Sequence, residues 1–372
     1  MKKRKAIAFA AIVSMVFLFG ASSTLSAYEP DETDIGSIKL DYDRVENIAE
    51  GGEIYVYNIG GVEHKFPVPP SDFDPLTASD QQLETYGFPS KPQKNTDEYT
   101  DWVNIMSSYR STPIPEIELT DEGNTDEDDN GISLQELEYV NSGDGAGYAA
   151  VLKNSSEYFA HVQGDFVQPK ITDTLGSCAD MFMVGFDIVE NNISISSREG
   201  VAAGTRCIGT SKYAHAYYHC YGKDKKDISY ANTGISFAAG DKVYVYVSYQ
   251  RANNIFNYYI VNMTKGTQVS DIVQFDNANY YEGKKAVWFV GRCKTPVNTY
   301  YNLGKFTDVT FSNCRAMLNT SDTWTNLGDF KDIYIVSLAP RDRHPALAST
   351  TNQIIDKNQF TCVWLNYNEY CD

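Results

Sequence analysis

The sequence predicts an all-β protein, an antiparallel two-sheet β-sandwich preceded by a small N-terminal region. Three observations carry this. From about Gly145 onward, strand patterns follow one another with few helix candidates between them. Turn signals such as Ala239-Gly240-Asp241 and Thr264-Lys265-Gly266 separate segments of the same character. The chain of 372 residues is 42% hydrophobic and 13% aromatic, and its 27 tyrosines suit half-buried sheet faces with wet edges. Many strands joined by turns imply a sandwich or barrel.

The elements follow in order. Residues 1–27 read as a secretory signal peptide. Met1-Lys2-Lys3-Arg4-Lys5 is basic, an apolar stretch runs over 6–21, and small or polar residues over 22–27 offer a cleavage site. An uncleaved anchor helix fits less well, because the apolar run is short. The expected location is therefore outside a bacterial-type cell, secreted or at its surface, with no membrane span after cleavage.

Residues 28–112 form the N-terminal region. Residues 53–58 alternate, Gly60-Gly61 turns, and 62–68 run back, which predicts a hairpin. A short helix is expected over 80–86, capped by Ser79 or Asp80, and a second over 97–109. Over 116–138 acids dominate and no Lys or Arg appears, so 113–140 reads as a solvated acidic linker. Asp126, Asp128 and Asn130 open like a calcium loop. The closing Glu136 stands one place early, however, which disfavours metal binding.

The sandwich itself is expected over 141–372. Its strands are predicted over 158–167, 181–188, 241–249, 256–263, 286–290, 306–311 and 360–365.

The net charge of -18 excludes nucleic acid as a natural partner, since phosphate binding needs clustered Lys and Arg. Seven cysteines (Cys178, Cys207, Cys220, Cys293, Cys314, Cys362 and Cys371) in an oxidising compartment allow up to three bridges. Cys207 with Cys220, Cys293 with Cys314, and Cys362 with Cys371 are candidate pairs. None has zinc-finger spacing, and no cofactor is called for.

Further stretches carry a family resemblance. Pro69-Pro70, Phe73-Asp74-Pro75, Ala78-Ser79 and Tyr86-Gly87-Phe88-Pro89 stand in the N-terminal region. Gly147-Tyr148-Ala149-Ala150, Val162-Gln163-Gly164-Asp165-Phe166-Val167, Val184-Gly185-Phe186-Asp187 and Ala286-Val287-Trp288-Phe289-Val290 follow in order. The ordered set resembles the glutamic peptidases (eqolisins), secreted acid endopeptidases. The resemblance implies a concanavalin-like jelly roll with a substrate groove on a concave sheet.

That family works with one Glu, which takes a proton from the attacking water, and one Gln, which positions the water and stabilises the oxyanion. Neither carries over. The family's Ala-Glu-Trp-Ile-Val reads Ala286-Val287-Trp288-Phe289-Val290, so Val287 replaces the base, and an isopropyl group accepts no proton. The Gln position falls on Arg198, with Glu199 one register step away. The groove Glu becomes His219, and the groove Asp is kept as Asp187.

The resemblance thus implies a catalytically silent relative. Its groove candidates for a peptide or glycan are Asp187, Arg198, Glu199, Tyr217, His219 and Trp288. Trp288 and Tyr217 equally suit an ordinary core. A second reading is an active peptidase with rebuilt chemistry, in which His219 and Asp187 form a pair of base and orienter or Glu199 serves as acid. A third is a structural surface protein. No oligomeric state is implied.

Overall fold

The computed structural model describes residues 38–49, 51–124, 139–142, 145–153, 156–173, 179–186, 200–210, 212–221, 226–275, 282–292, 303–338, 348–350 and 353–365. The signal-peptide and calcium-loop residues fall outside this set, as do Asp187, Arg198, Glu199, Cys178, Cys293 and Cys371. Glu32–Asp372 cluster as one compact unit. Among the described residues, no helix is long and apolar enough to cross a membrane.

The N-terminal region starts with β1 (Ile38–Leu40), β2 (Arg44–Asn47), β3 (Glu53–Ile59) and β4 (Val62–Val68). The β3–β4 hairpin is the one expected. Gly60 and Gly61 both have positive φ, 59° and 86°, so the two-residue loop twists with its strands. Next come α1 (Asp80–Thr85) and α2 (Asp97–Met106). Ser79 caps α1 in a reciprocal box: its hydroxyl accepts from Gln82 N at 3.1 Å, and Gln82 Oε1 accepts from Ser79 N at 2.9 Å. Thr96 caps α2 by accepting from Tyr99 N.

The acidic stretch corrects the linker expectation. Its described part contains β5 (Ile117–Asn124), which pairs with β1 and with a sandwich strand, and ends at β6 (Tyr139–Ser142). Ile117 is buried, while Glu116 and Glu118 stay on the wet side. A charged strand fits near a sheet margin, where charge discourages unwanted pairing.

The remaining strands are β7 (Gly145–Val151), β8 (Phe159–Val167), β9 (Ile171–Asp173), β10 (Ala179–Phe186), β11 (Gly200–Ile208) and β12 (Lys212–Tyr221). They continue with β13 (Lys226–Ser236), β14 (Lys242–Gln250), β15 (Ile255–Asn262), β16 (Thr267–Gln274) and β17 (Lys285–Arg292). The chain ends with β18 (Lys305–Phe306), β19 (Val309–Leu318), β20 (Thr325–Asn326), β21 (Ile333–Leu338), β22 (Ala348–Thr350) and β23 (Phe360–Trp364).

Two layers result. The first runs β21–β7–β17–β10–β11–β12–β13–β5–β1. The second runs β23–β19–β8–β14–β15–β16–β4–β3–β2. β22 pairs with both β21 and β23 and joins the layers at one corner. Among the described strands pairing is antiparallel except between β21 and β6, and a single parallel bridge joins Ser111 to Thr267 of β16. The expected antiparallel sandwich is present.

The core lies between the layers. The first contributes Tyr148, Phe182, Val184, Val201 and Trp288, and the second Phe166, Val245, Phe256, Ile260 and Phe311. The hairpin adds Tyr55, Tyr57, Ile59 and Phe66 to that same core, and β4 extends the second sheet beside β16. A buried polar cluster locks it in place. His64 Nδ1 lies 2.9 Å from Asp271 Oδ2, and the Tyr230 hydroxyl donates to the same oxygen. The three residues come from the hairpin, the second sheet and the first sheet, and all are at most 1% exposed. The outer face of the second sheet is covered by α1 and α2, through Leu83, Tyr86, Trp102, Ile105 and Met106 on Tyr244, Tyr246, Tyr259 and Val261.

The cysteine pairings are corrected. Cys207 stands opposite Tyr213, whereas Cys220 stands opposite Gly200. Seven ladder steps separate them, roughly 23 Å at strand rise, beyond disulfide reach. Cys314 and Cys362 carry free thiols buried in the core, donating to Ser312 O and Ala146 O. Burial pushes both thiols far above their ordinary pKa.

Candidate functional site

Val287, which the resemblance matches to the family's base, lies mid-strand on β17, in the first sheet. The ladder sets its neighbours. Val287 stands opposite Ala149 on one side and Gly185 on the other, and the rank continues to Ala202 and Tyr218. Strand alternation puts Val287 on the face away from the inter-sheet core. There it packs with Ala149, Met183, Ala202, Phe289, Tyr334 and Val336 in a second apolar cluster, itself 0% exposed. Gly185 is required by the close approach of β11: a Cβ there would lie 2.0 Å from Val201 O. β7, β11 and β17 are accordingly buried along nearly their whole length.

Trp288 takes the opposite face. It is 0% exposed in the inter-sheet core, and its Nε1–H donates to Gln163 O at 2.7 Å, tying the two layers together. Of the other sequence-predicted positions, Tyr217 falls in the rank of Trp288 and His219 in the rank of Ala286, whereas Tyr218 falls in the rank of Val287. Asp187, Arg198 and Glu199 lie outside the described residues.

Two cations on the Val287 face escaped sequence reasoning. Lys285 precedes Val287 by one strand period and is 1% exposed, and Arg206, opposite Met181, is 4% exposed. The only available signal was the position of Lys285 at the start of the motif strand, since a lone Lys in a strand reads as a wet edge. Among the described residues, no group of three or more His, Cys, Asp or Glu could hold a metal ion.

A second concavity, absent from the sequence reading, opens on the outer face of the second sheet. Its volume is about 620 Å³. The floor is β8, β14 and β19, with His161 and Gln163 next to Tyr244 and Tyr246. The roof is the segment 89–96 and α2. Trp102 Nε1–H donates to Pro89 O at 3.0 Å, and Lys91 Nζ donates to Ala78 O at 3.1 Å while lying over the Trp102 ring. His161 stacks on Tyr246 at 5.7 Å and leans on Trp324 at 6.0 Å, with its Nδ1 2.7 Å from the Tyr246 hydroxyl.

Burial pulls the pKa of His161 down from its ordinary value to about 4. The unfolded chain therefore binds a proton that the fold refuses over this interval. The stability His161 contributes as a neutral ring is complete above about pH 6.5 and is lost as pH falls toward 4, by about 2–3 kcal/mol. Urea melts at pH 7 and pH 4.5 should show this loss for the parent and a smaller one for His161→Gln.

A two-layer antiparallel sandwich with the Ala286-Val287-Trp288 strand in its first sheet defines a protein of peptidase-like fold. The chain belongs to the peptidase A4 family, whose model matches residues 145–364, from the start of β7 to the end of β23. β1 to β6 and both helices lie outside that match. Among solved structures, the chain is similar to scytalido-glutamic peptidase with a peptide-based transition-state analogue. Identity is 15%, with 61% of this chain and 100% of that chain covered and a TM-score of 0.46. It is similar also to SCP-B, an eqolisin in complex with the tripeptide Ala-Ile-His. Identity there is 14%, with 61% and 100% covered and a TM-score of 0.45. No curated protein matches the chain.

Proposed function

We propose that this protein is an exported, catalytically silent member of the peptidase A4 family, a binding sandwich rather than a protease. One observation carries the reading. At the position of the family's base stands Val287, sealed among Ala149, Met183, Ala202 and Phe289 with no exposed surface. General-base catalysis needs a proton acceptor within hydrogen-bond reach of a water, and a hydrocarbon branch among hydrocarbons supplies neither acceptor nor water site. The basic opening followed by an apolar run supports export. Of the groove candidates, Tyr217, His219 and Trp288 stand in the ranks of the inter-sheet core face, which leaves Asp187, Arg198 and Glu199 to bind a peptide or glycan.

The test is incubation of the mature protein with denatured casein at acidic and neutral pH. No fragments are expected at either. Cleavage abolished by His219→Ala or Glu199→Gln would overturn the silent reading and establish rebuilt chemistry.

A further inference from the structure

We propose that the cavity between the N-terminal region and the second sheet binds a neutral glycan, taken up as one or two pyranose rings. This site is distinct from the Val287 face, and the inference does not rest on the loss of hydrolysis. The roof comes from residues outside the family match, so the cavity is a feature of this chain's own N-terminal region joined to the sandwich.

Size and lining set the ligand. A volume of about 620 Å³ lies within the range of small-ligand sites, which combine aromatic walls with a few polar groups. His161, Tyr246 and Trp324 pack together at 5.7–6.3 Å, with the half-buried Trp324 ring turned 56–62° from the other two. An indole face so held stacks against a flat apolar face, and the C–H face of a pyranose is one.

Hydroxyls then need donors and acceptors around the ring edge. Gln163 Oε1 is taken by the Tyr244 hydroxyl at 3.1 Å, which leaves its amide N–H groups for a ligand. His161 Nδ1 is taken by Tyr246, which leaves Nε2. Glu98 and Asp322 add carboxylates that accept from hydroxyls.

The same features disfavour other ligand classes. Lys91, the cation of the lining, is held by the roof, and the chain carries net charge -18, so an anion meets repulsion. A quaternary ammonium group prefers rings set around an open centre, whereas these rings lean on one another. An extended peptide gains its affinity by adding to a strand edge. β8, β14 and β19 are paired on both sides, so the floor offers none.

The experiment titrates the full mature protein with neutral gluco-, manno-, galacto- and N-acetylgluco-trisaccharides. It follows tryptophan emission, to which Trp102 and Trp324 contribute two of the four indoles. Saturable binding of at least one trisaccharide is expected, weakened about tenfold or more by Trp324→Ala and by Asp322→Asn. Asp322 is exposed, so its variant keeps the test valid if Trp324→Ala unfolds. Tetramethylammonium and a proline-rich peptide serve as competitors. The proposal falls if no trisaccharide binds, if binding is indifferent to both substitutions, or if either competitor binds and the sugars do not.

Discussion

Val287→Glu lowers stability by about 3–5 kcal/mol at pH 7 and by far less near pH 4. At neutral pH the introduced carboxylate would sit where Val287 sits now, among Ala149, Met183, Ala202 and Phe289. Desolvation disfavours its charged form and raises its folded pKa above the ordinary Glu value of about 4.3. Between those two pKa values the unfolded chain has released a proton that the fold retains. The penalty therefore grows as pH rises through that interval and is relieved as pH falls below it. Urea melts at both pH values measure it directly. A variant as stable as the parent at pH 7 would mean that water reaches this position, and the dry-face account of inactivity would fail. The double variant Val287→Glu with Arg198→Gln then asks whether acid proteolysis returns.

A chain nicked once within residues 125–138 keeps its two pieces together under native conditions and loses the N-terminal piece only in denaturant. The N-terminal piece holds β5, which pairs with β13 along seven residue pairs, and the hairpin, which pairs with β16. It also supplies Tyr55, Tyr57, Ile59 and Phe66 to the shared core, and α1 and α2 to the second sheet. Each buried aromatic of this kind is worth about 3–5 kcal/mol against Ala, so their sum far exceeds what a detachable pro-segment needs. Gel filtration of the nicked protein gives the answer. Spontaneous separation of the pieces would show that the region is a removable shield. Asp271→Ala, which leaves His64 and Tyr230 facing a lost partner, should loosen the nicked complex more than the intact chain.

Much of the scaffold was legible because local chemistry and global fold agree there. Gly60-Gly61 between alternating segments specified the hairpin, the choice of Ser79 or Asp80 as cap placed the start of α1 to within a residue, and 241–249 alternated where β14 forms. The acidic stretch misled because its charges masked the alternation of Ile117 and Leu119 on β5. Pairing with β13, over a hundred residues later, has no local trace. The cysteine pairs failed for a related reason: nearness in sequence says nothing of register, and Cys207 and Cys220 sit at opposite ends of their ladder. The match of Val287 to the family's base position is a reading of the sequence, anchored by the neighbouring Trp288. The dryness of Val287 was not legible, nor was the burial of Lys285 and Arg206, because both depend on strands far apart in sequence. The cavity over His161 was invisible for the same reason, since its roof comes from residues 89–105 and its floor from segments spread over residues 161–324.

β1 lies at the far margin of one layer and β2 at the far margin of the other, only a few residues apart in the chain. The opening residues thus act as a hem for both sheets, opposite the corner that β22 closes. Trimming that hem would leave raw backbone on β5 and β3, and raw backbone recruits strands from neighbouring molecules. Residues 38–47 are thus what keep each copy to itself.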